Sequence, residues 1–316
     1  MPRGRVLRAA KIAFAVAVAI AIAAALVSQW GELREAAASA RPSWGYIALS
    51  CALVLANYAL LIQAWRVLLA GWGSSLGFWQ SARVWTISNL GRYIPGKVWA
   101  IGSLAVMAQA RGVSGAAAVG AALLGSLINT VAGFIVLAAT GAGVLELPTA
   151  AVVAIALLGA AILVAPPFLP WLGRVAGRLA RRDITIPRIP HRAIWIAAAI
   201  SALSWILYGV AFRVLTVGVL SRAPGELGLY TAIWTGSYLA GFLAVFAPGG
   251  VGVREVVMAG ALKAVSFGTG EAILLVVASR VWLTVLEILP AALFLIIRPM
   301  RREKADAPPE VASDAR

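Results

Sequence analysis

Cysteine and histidine are almost absent from this chain of 316 residues. Cys51 is the only cysteine and lies in an apolar run, so an intrachain disulfide is excluded. His191 is the only histidine and lies beside a proline in a basic loop. A zinc site or a Cys/His catalytic dyad needs more of these side chains than the chain contains. We therefore expect no metal ion at the functional site.

Charged residues are also scarce, because they make up 12% of the chain, whereas an average soluble domain carries about 25%. Hydrophobic residues make up 62%, and the mean hydropathy is +0.92. This composition predicts an all-α polytopic integral membrane protein. The net charge of +15 comes from cations that lie mostly at the ends of apolar runs. That position indicates cytoplasmic loops and anionic lipid headgroups, so we expect no nucleic-acid partner.

Nucleotide-binding and hydrolase motifs are missing as well. The sequence has no P-loop, no dinucleotide-binding fingerprint and no nucleophile elbow, and Gly249-x-x-Gly252 is too short for any of them. We therefore expect no cofactor and no enzyme activity, and a transport reaction here would be passive or coupled to an ion.

Long apolar runs are the dominant feature of the sequence. Six of them are candidate full membrane spans, at residues 12–27, 44–65, 114–141, 149–169, 192–218 and 271–297. The first run follows four cations and resembles a signal peptide, but no cleavage site closes it. We therefore interpret it as an uncleaved first span.

The basic loops predict the orientation of the chain. The loop at 170–192 has six Arg and one Asp, so we expect it on the cytoplasmic side of the inner (cytoplasmic) cell membrane, with both termini on that side. Residues 1–302 are predicted to form one transmembrane domain. The tail at 303–316, rich in Ala, Pro and acidic residues, is predicted to be a disordered cytoplasmic segment.

Two stretches, 76–111 and 229–268, lack a clean apolar run but share a plan. Each has Trp-Thr (Trp85 and Trp234 begin these pairs) and then Pro-Gly. We interpret them as re-entrant hairpins that enter from opposite sides, within an inverted repeat whose halves are approximately 44–141 and 192–298. The alternative is that each stretch crosses the membrane twice, which preserves the same orientation.

The two Pro-Gly breaks are candidate ligand-binding segments. Proline stops a helix and glycine allows close approach of the backbone, so the freed N–H groups of the next half-helix would face an anion. The alternative is a plain kink or a surface loop. The candidate binding residues around the two breaks are Asn89, Arg92, Tyr93, Pro95, Gly96, Lys97, Pro248, Gly249, Gly250, Gly252, Arg254 and Glu255.

Charged residues within apolar segments are the other candidates, because burying a charge in a membrane is costly. Arg280 and Glu287 lie seven residues apart in the last span and so share one helix face. Arg280 is a candidate headgroup ligand and is expected to interact with Glu255. Glu255 and Glu287 are candidates for proton coupling. Structural ion pairs and snorkelling of long side chains to the interface are the alternatives.

The stretches "NLGRYIPGKVW" and "APGGVGVRE" resemble the lysylphosphatidylglycerol synthase transmembrane-region family, over roughly residues 10–298. The resemblance implies a flippase-like domain that moves a phospholipid between leaflets. The soluble synthase domain of the best-known members has no counterpart after the last span. The resemblance therefore implies translocation without synthesis, and its matching positions are Asn89, Arg92, Pro95, Gly96, Lys97, Pro248, Gly249, Gly250, Gly252, Arg254 and Glu255.

The combined expectation is the translocation of a lipid with an anionic phosphate headgroup, either a phospholipid or a polyprenyl-phosphate-linked lipid. The two hairpins would hold the headgroup near the midplane while the acyl chains stay in the bilayer. Two alternatives remain open. One is a membrane-embedded transferase acting on lipid-linked substrates, and the other is a non-transporting subunit that recruits a lipid-modifying enzyme. Such an enzyme partner and an oligomeric state are both compatible with the sequence.

Overall fold

A computed structural model describes residues 30–93, 98–145, 157, 189–244 and 250–297. These residues form helices, and no strand occurs among them. The helices are α1 (Trp30–Ser39), α2 (Trp44–Gly71), α3 (Phe78–Asn89), α4 (Val98–Gln109), α5 (Gly115–Leu145), α6 (His191–Leu220), α7 (Leu227–Leu243), α8 (Val253–Ala264) and α9 (Thr269–Ile296), with a 3₁₀ turn at Leu90–Tyr93. The all-helical fold class is therefore confirmed over the described residues.

Within the described ranges, four helices are long and apolar enough to cross a membrane. They are α2, α6 and α9 over their full lengths, and α5 from Gly115 to Gly141. These helices match four of the predicted runs, so the prediction of a polytopic membrane protein is confirmed. The run at 12–27 and all of the run at 149–169 except residue 157 lie outside the described residues, as do nearly all of the basic loop and the whole tail at 303–316.

One end of the helix bundle gathers the C-terminal ends of α2 and α9; we call it the first end. Gly71 at the end of α2 lies against Ile189 and Ala193 at the start of α6. Arg83 in α3 donates a hydrogen bond to the Ile297 carbonyl, 2.8 Å away, beyond α9. The start of α5 joins them, since Gly120 lies against Trp72. Both outer termini of the α3–α4 pair therefore lie at the first end.

The opposite end, which we call the second end, gathers the beginnings of α2 and α9. The Ser43 N–H donates to the Gly218 carbonyl at the end of α6, at 2.8 Å. Gly228 in α7 lies near Thr140 of α5, and Gly270 in α9 lies against Glu32 of α1. Because α7 starts at this end and α8 leads into α9 there, both outer termini of the α7–α8 pair lie at the second end.

The inner ends of the two short pairs come close together in the middle of the bundle. Glycine makes each reversal compact: a Cβ on Gly91 would lie 2.7 Å from the Ala100 nitrogen, and one on Gly250 would lie 2.9 Å from the Gly241 Cα. Side chains of this size would force the backbones apart. The re-entrant hairpins and the inverted repeat stay predictions.

An aromatic core anchors α7 between α6 and α9. The Trp234 ring is fully buried and stacks on Tyr208, with ring centroids 5.4 Å apart. It also contacts Phe212 and, edge-on, Trp282, at 5.3 and 5.5 Å. Aromatic pairs at these distances add to the free energy of burial. This packing fixes the position of Tyr238, one turn further along α7.

Candidate functional site

A cavity of about 410 Å³ lies in the middle of the bundle, where the two short helix pairs meet. Its wall is built from helices α2 to α9 and is mostly apolar, with a polar region at the centre of the bundle. The side chains of that region, here called the charged end, are Asn89, Arg92, Tyr238, Arg254, Arg280 and Glu287. A largely apolar cavity with a few convergent polar groups is the usual form of a ligand site.

Arg92, in the 3₁₀ turn that ends the first short helix, is held by partners on three elements. Its Nη1 lies 2.6 Å from Glu287 Oε1 in α9 and 3.4 Å from the Tyr238 hydroxyl. Its Nη2 donates to Asn89 Oδ1 at 2.9 Å. The Glu287 side chain is only 6% exposed. The charge of Arg92 is therefore neutralised by a buried carboxylate.

Arg254, in the first turn of α8, has a different environment. The residue is 4% exposed, and its guanidinium carbon lies 4.4 Å from the centroid of Trp234 and 5.5 Å from that of Tyr238. Among the described residues, its Nη2 atom has no hydrogen-bond partner and no carboxylate lies within 4.0 Å of it. The aromatic rings stabilise the cation, but its charge is not matched by a counter-ion there.

Glu255 and Arg280 form the third feature of this region. Arg280 Nη1 lies 3.5 Å from Glu255 Oε1, which confirms the expected interaction between the second break and the last span. Glu255 Oε2 also accepts a hydrogen bond from the Gly252 N–H at 2.6 Å, across the start of α8. Glu255 therefore caps the helix that carries Arg254 and partly neutralises Arg280.

Two glycines at the second break have backbone angles that few other residues adopt. Gly250 has φ of +70° and Gly252 has φ of +90°. These angles turn the chain into α8 and bring Gly250 against Gly241, which itself faces the Arg254 Cβ. The two glycines thus determine where α8, the helix that carries Arg254, begins.

The structure brings six of the predicted residues together on the cavity wall: Asn89, Arg92, Gly250, Arg254, Arg280 and Glu287. Gly252 and Glu255 lie just behind them. Pro95, Gly96, Lys97, Pro248 and Gly249 lie outside the described residues. Tyr93 belongs to the 3₁₀ turn, and its side chain is likewise outside what the structure describes.

Two important residues escaped the sequence analysis. Tyr238 contacts both arginines, and Trp234 lies under Arg254. Trp234 was noted only as part of a repeated Trp-Thr pair. The available signal was spacing: Tyr238 follows Trp234 by four residues, so both lie on one helix face.

The charges of the region add up to an excess of positive charge. Three guanidinium groups, of Arg92, Arg254 and Arg280, face two carboxylates, of Glu255 and Glu287, which leaves one net positive charge. The N-terminus of α8 adds positive partial charge beside Arg254. An anion is therefore the ligand that this arrangement favours.

Comparison with known proteins agrees with the fold. No curated protein and no solved structure matches the chain significantly. A family model described as the lysylphosphatidylglycerol synthase TM region matches residues 12–291, which is most of the chain, and this match confirms the resemblance based on the two Pro-Gly segments. The chain is therefore a membrane protein that belongs to the lysylphosphatidylglycerol synthase TM region family.

Proposed function

We propose that this protein translocates a lipid with an anionic phosphate headgroup across the cytoplasmic membrane, without catalysis, and that Arg254 binds the phosphate. The observation that carries the proposal is the state of Arg254. It is buried and lines the cavity, and its Nη2 atom has no hydrogen-bond partner in the part of the chain that the structure describes. A phosphate oxygen would satisfy that donor through a charge-assisted hydrogen bond.

A bound phosphate would stabilise the buried guanidinium of Arg254. A buried charge without a counter-ion is costly, and cation–π contact returns only about 0.5–2 kcal/mol. An incoming phosphate would remove that cost and gain hydrogen bonds to the same group. Arg280, near Glu255, and the α8 N-terminus lie close enough to the charged end to add attraction.

The arrangement of the two short helix pairs supports a transport role. The α3–α4 pair has its outer termini at the first end of the bundle and the α7–α8 pair at the second end. We infer that these are re-entrant hairpins of an inverted repeat that meet at the charged end. A site between oppositely directed hairpins would be accessible alternately from either side.

The orientation that we propose has both termini in the cytoplasm. The first end of the bundle carries Arg66, Arg83 and Arg111, and the Arg-rich loop at 170–192 precedes the start of α6 at the same end. This excess of arginine is typical of a cytoplasmic face. A lipid-modifying enzyme that makes the substrate, or uses it, is the partner class that fits this proposal.

The experiment uses purified protein in liposomes that contain a fluorescent phosphate-headgroup lipid, with quencher added outside. Arg254→Gln should lower lipid binding by about 10- to 150-fold, since a hydrogen bond to a charged group contributes about 1.5–3 kcal/mol, and transport should fall accordingly. The thermal unfolding midpoint of this variant should stay close to that of the wild type, because the substitution also removes an unpaired buried charge.

Arg222→Gln is the matched control. Arg222 is another arginine, but it pairs with Glu271 at the second end, away from the cavity, and is 47% exposed. Transport by this variant should equal that of the wild type. Unchanged binding and transport in Arg254→Gln would contradict the proposed phosphate site.

A further inference from the structure

We propose that one alkyl chain of the lipid enters the protein and occupies the apolar part of the cavity between α2, α4, α5 and α6. This part, here called the chain arm, runs from the charged end toward the first end. The inference rests on the proposed function, because it concerns the rest of the molecule whose phosphate binds Arg254. It replaces the expectation that all acyl chains stay in the bilayer.

The chain arm and the charged end are parts of a single cavity. Arg92 and Arg254 line one part, and Leu61, Leu68 and Leu104 line the other. A ligand that filled both would need an anionic group joined to an apolar segment, which describes a single-chain portion of a phospholipid or prenyl phosphate. A free inorganic phosphate would leave the apolar surface of the arm uncovered.

Small side chains along α5 leave room at the cavity wall. Ala121, Ala122 and Gly125 face the cavity, whereas Leu123 and Leu127 point outward and are 53% and 48% exposed. Small side chains on a membrane helix commonly serve close packing between helices, and outward-facing leucines contact lipid at no cost. Close contact with Leu68 accounts for Gly125, but Ala122 is not fully buried and leaves room at the cavity wall.

Two residues that line the cavity each have a buried donor without a hydrogen-bond partner among the described residues. Trp65 is 5% exposed, and its indole Nε1 has no hydrogen-bond partner, as is also true of Arg254 Nη2. Both residues line the cavity. Trp65 lies in the arm, where its N–H would meet an oxygen atom carried by the lipid, such as that of an ester or ether. A pure hydrocarbon could not satisfy this donor.

The volume limits the occupant to one chain. The whole cavity, charged end included, is about 410 Å³, near the lower end of the roughly 300–1,000 Å³ usual for small-molecule sites. A headgroup with two long chains would not fit, so the second chain of a diacyl lipid remains in the bilayer.

The test measures binding of alkyl phosphates from methyl to octyl, to protein in phosphatidylcholine nanodiscs. In the wild type each added methylene should tighten binding about three- to fourfold. In Ala122→Leu, octyl phosphate should bind at least about tenfold more weakly than in the wild type, because the leucine fills space for two or more methylenes. Methyl phosphate should bind equally to both proteins.

Ala116→Leu is the matched control, since Ala116 lies on the same helix but is exposed and outside the cavity. This variant should keep the chain-length dependence of the wild type. If Ala122→Leu also kept the wild-type dependence of binding on chain length, the proposal of the chain arm would be wrong, while the phosphate site would be unaffected. Loss of methyl phosphate binding in Arg254→Gln tests the headgroup site separately, so failure of the two proposals is distinguishable.

A second measurement needs no variant. Octyl phosphate with a photoreactive diazirine at the chain end should label wild-type protein within residues 61–68 of α2 or 197–201 of α6. Labelling confined to outward-facing side chains, such as Leu123 or Leu289, would place the chain in the bilayer and overturn the inference.

Discussion

Each of the two breaks of this protein carries an arginine, and the two arginines lie in different electrostatic environments. Arg92, at the first break, has a carboxylate at 2.6 Å and an amide oxygen at 2.9 Å. Arg254, at the second, lies on Trp234 and has an unpartnered Nη2. Tyr238 contacts both. The difference shows that an arginine at a break can either join two helices through an ion pair or keep a donor without a protein partner.

Substitutions at Arg92 and at Arg254 should have different consequences. Removing a partner from the Arg92 pair leaves a buried charge alone and should destabilise the fold. Removing Arg254 leaves no such charge and should affect ligand binding first. Stability and binding measured on the same variants therefore separate the roles of the two breaks.

The largest effect should come from Glu287→Gln, which leaves Arg92 without its counter-ion. The Glu287 side chain is 6% exposed but that of Arg92 is 29% exposed, so the loss should lie below the about 3–5 kcal/mol of a fully buried pair and still lower the thermal unfolding midpoint in detergent. The double variant Arg92→Gln with Glu287→Gln should recover most of that loss. Glu226→Gln, at an exposed glutamate, is the control; an equal effect from it would show that the Arg92 pair contributes nothing special.

Gly250→Ala should have the next largest effect, because it distorts the break that presents Arg254. The positive φ and the 2.9 Å approach to Gly241 together disfavour a Cβ, and a strained backbone angle alone costs about 1–3 kcal/mol. We expect a lower unfolding midpoint and weaker binding of phosphate-headgroup lipid. Gly102→Ala, where nothing lies within 4 Å, is the control; it should be neutral or stabilising in its helix.

The Glu255–Arg280 pair should give a smaller coupling, which a double-mutant cycle with glutamine at each position measures. The separation is 3.5 Å and the side chains are 18% and 26% exposed, so we expect a coupling of about 1 kcal/mol in unfolding free energy. Glu255→Gln alone should cost more than Arg280→Gln, because it also weakens the cap on Gly252. Strict additivity would show that the two charges do not interact.

The smallest effect should come from the Arg222–Glu271 pair at the second end. Arg222 is 47% exposed and solvent screens such a pair, so its coupling should be about 0.2–1 kcal/mol and should shrink at high salt. The same cycle in low and high salt measures it. A coupling as large as that of Arg92 with Glu287 would remove the contrast between buried and exposed pairs.

Local sequence predicted several elements well because their physical cause is local. The apolar runs at 44–65, 114–141, 192–218 and 271–297 became the four long helices, since length and hydropathy suffice for a membrane span. The expected Glu255–Arg280 contact is also present. The assignment of Arg92 and Arg254 to one binding site stays a prediction, and the pairing of Arg92 with Glu287 follows from the fold alone.

The sequence by itself determined that this is a helical membrane protein, where its charges interrupt apolar segments, and which glycines allow the chain to turn. Those properties depend on composition and on neighbours within one or two turns. The tertiary structure alone decided that Arg92 is neutralised by Glu287, that Trp234 and Tyr238 surround Arg254, and that a cavity links them to α2, α5 and α6. Pairing and cavity shape depend on contacts between residues as far as 195 positions apart, because burial brings distant side chains within the few ångströms at which charges interact.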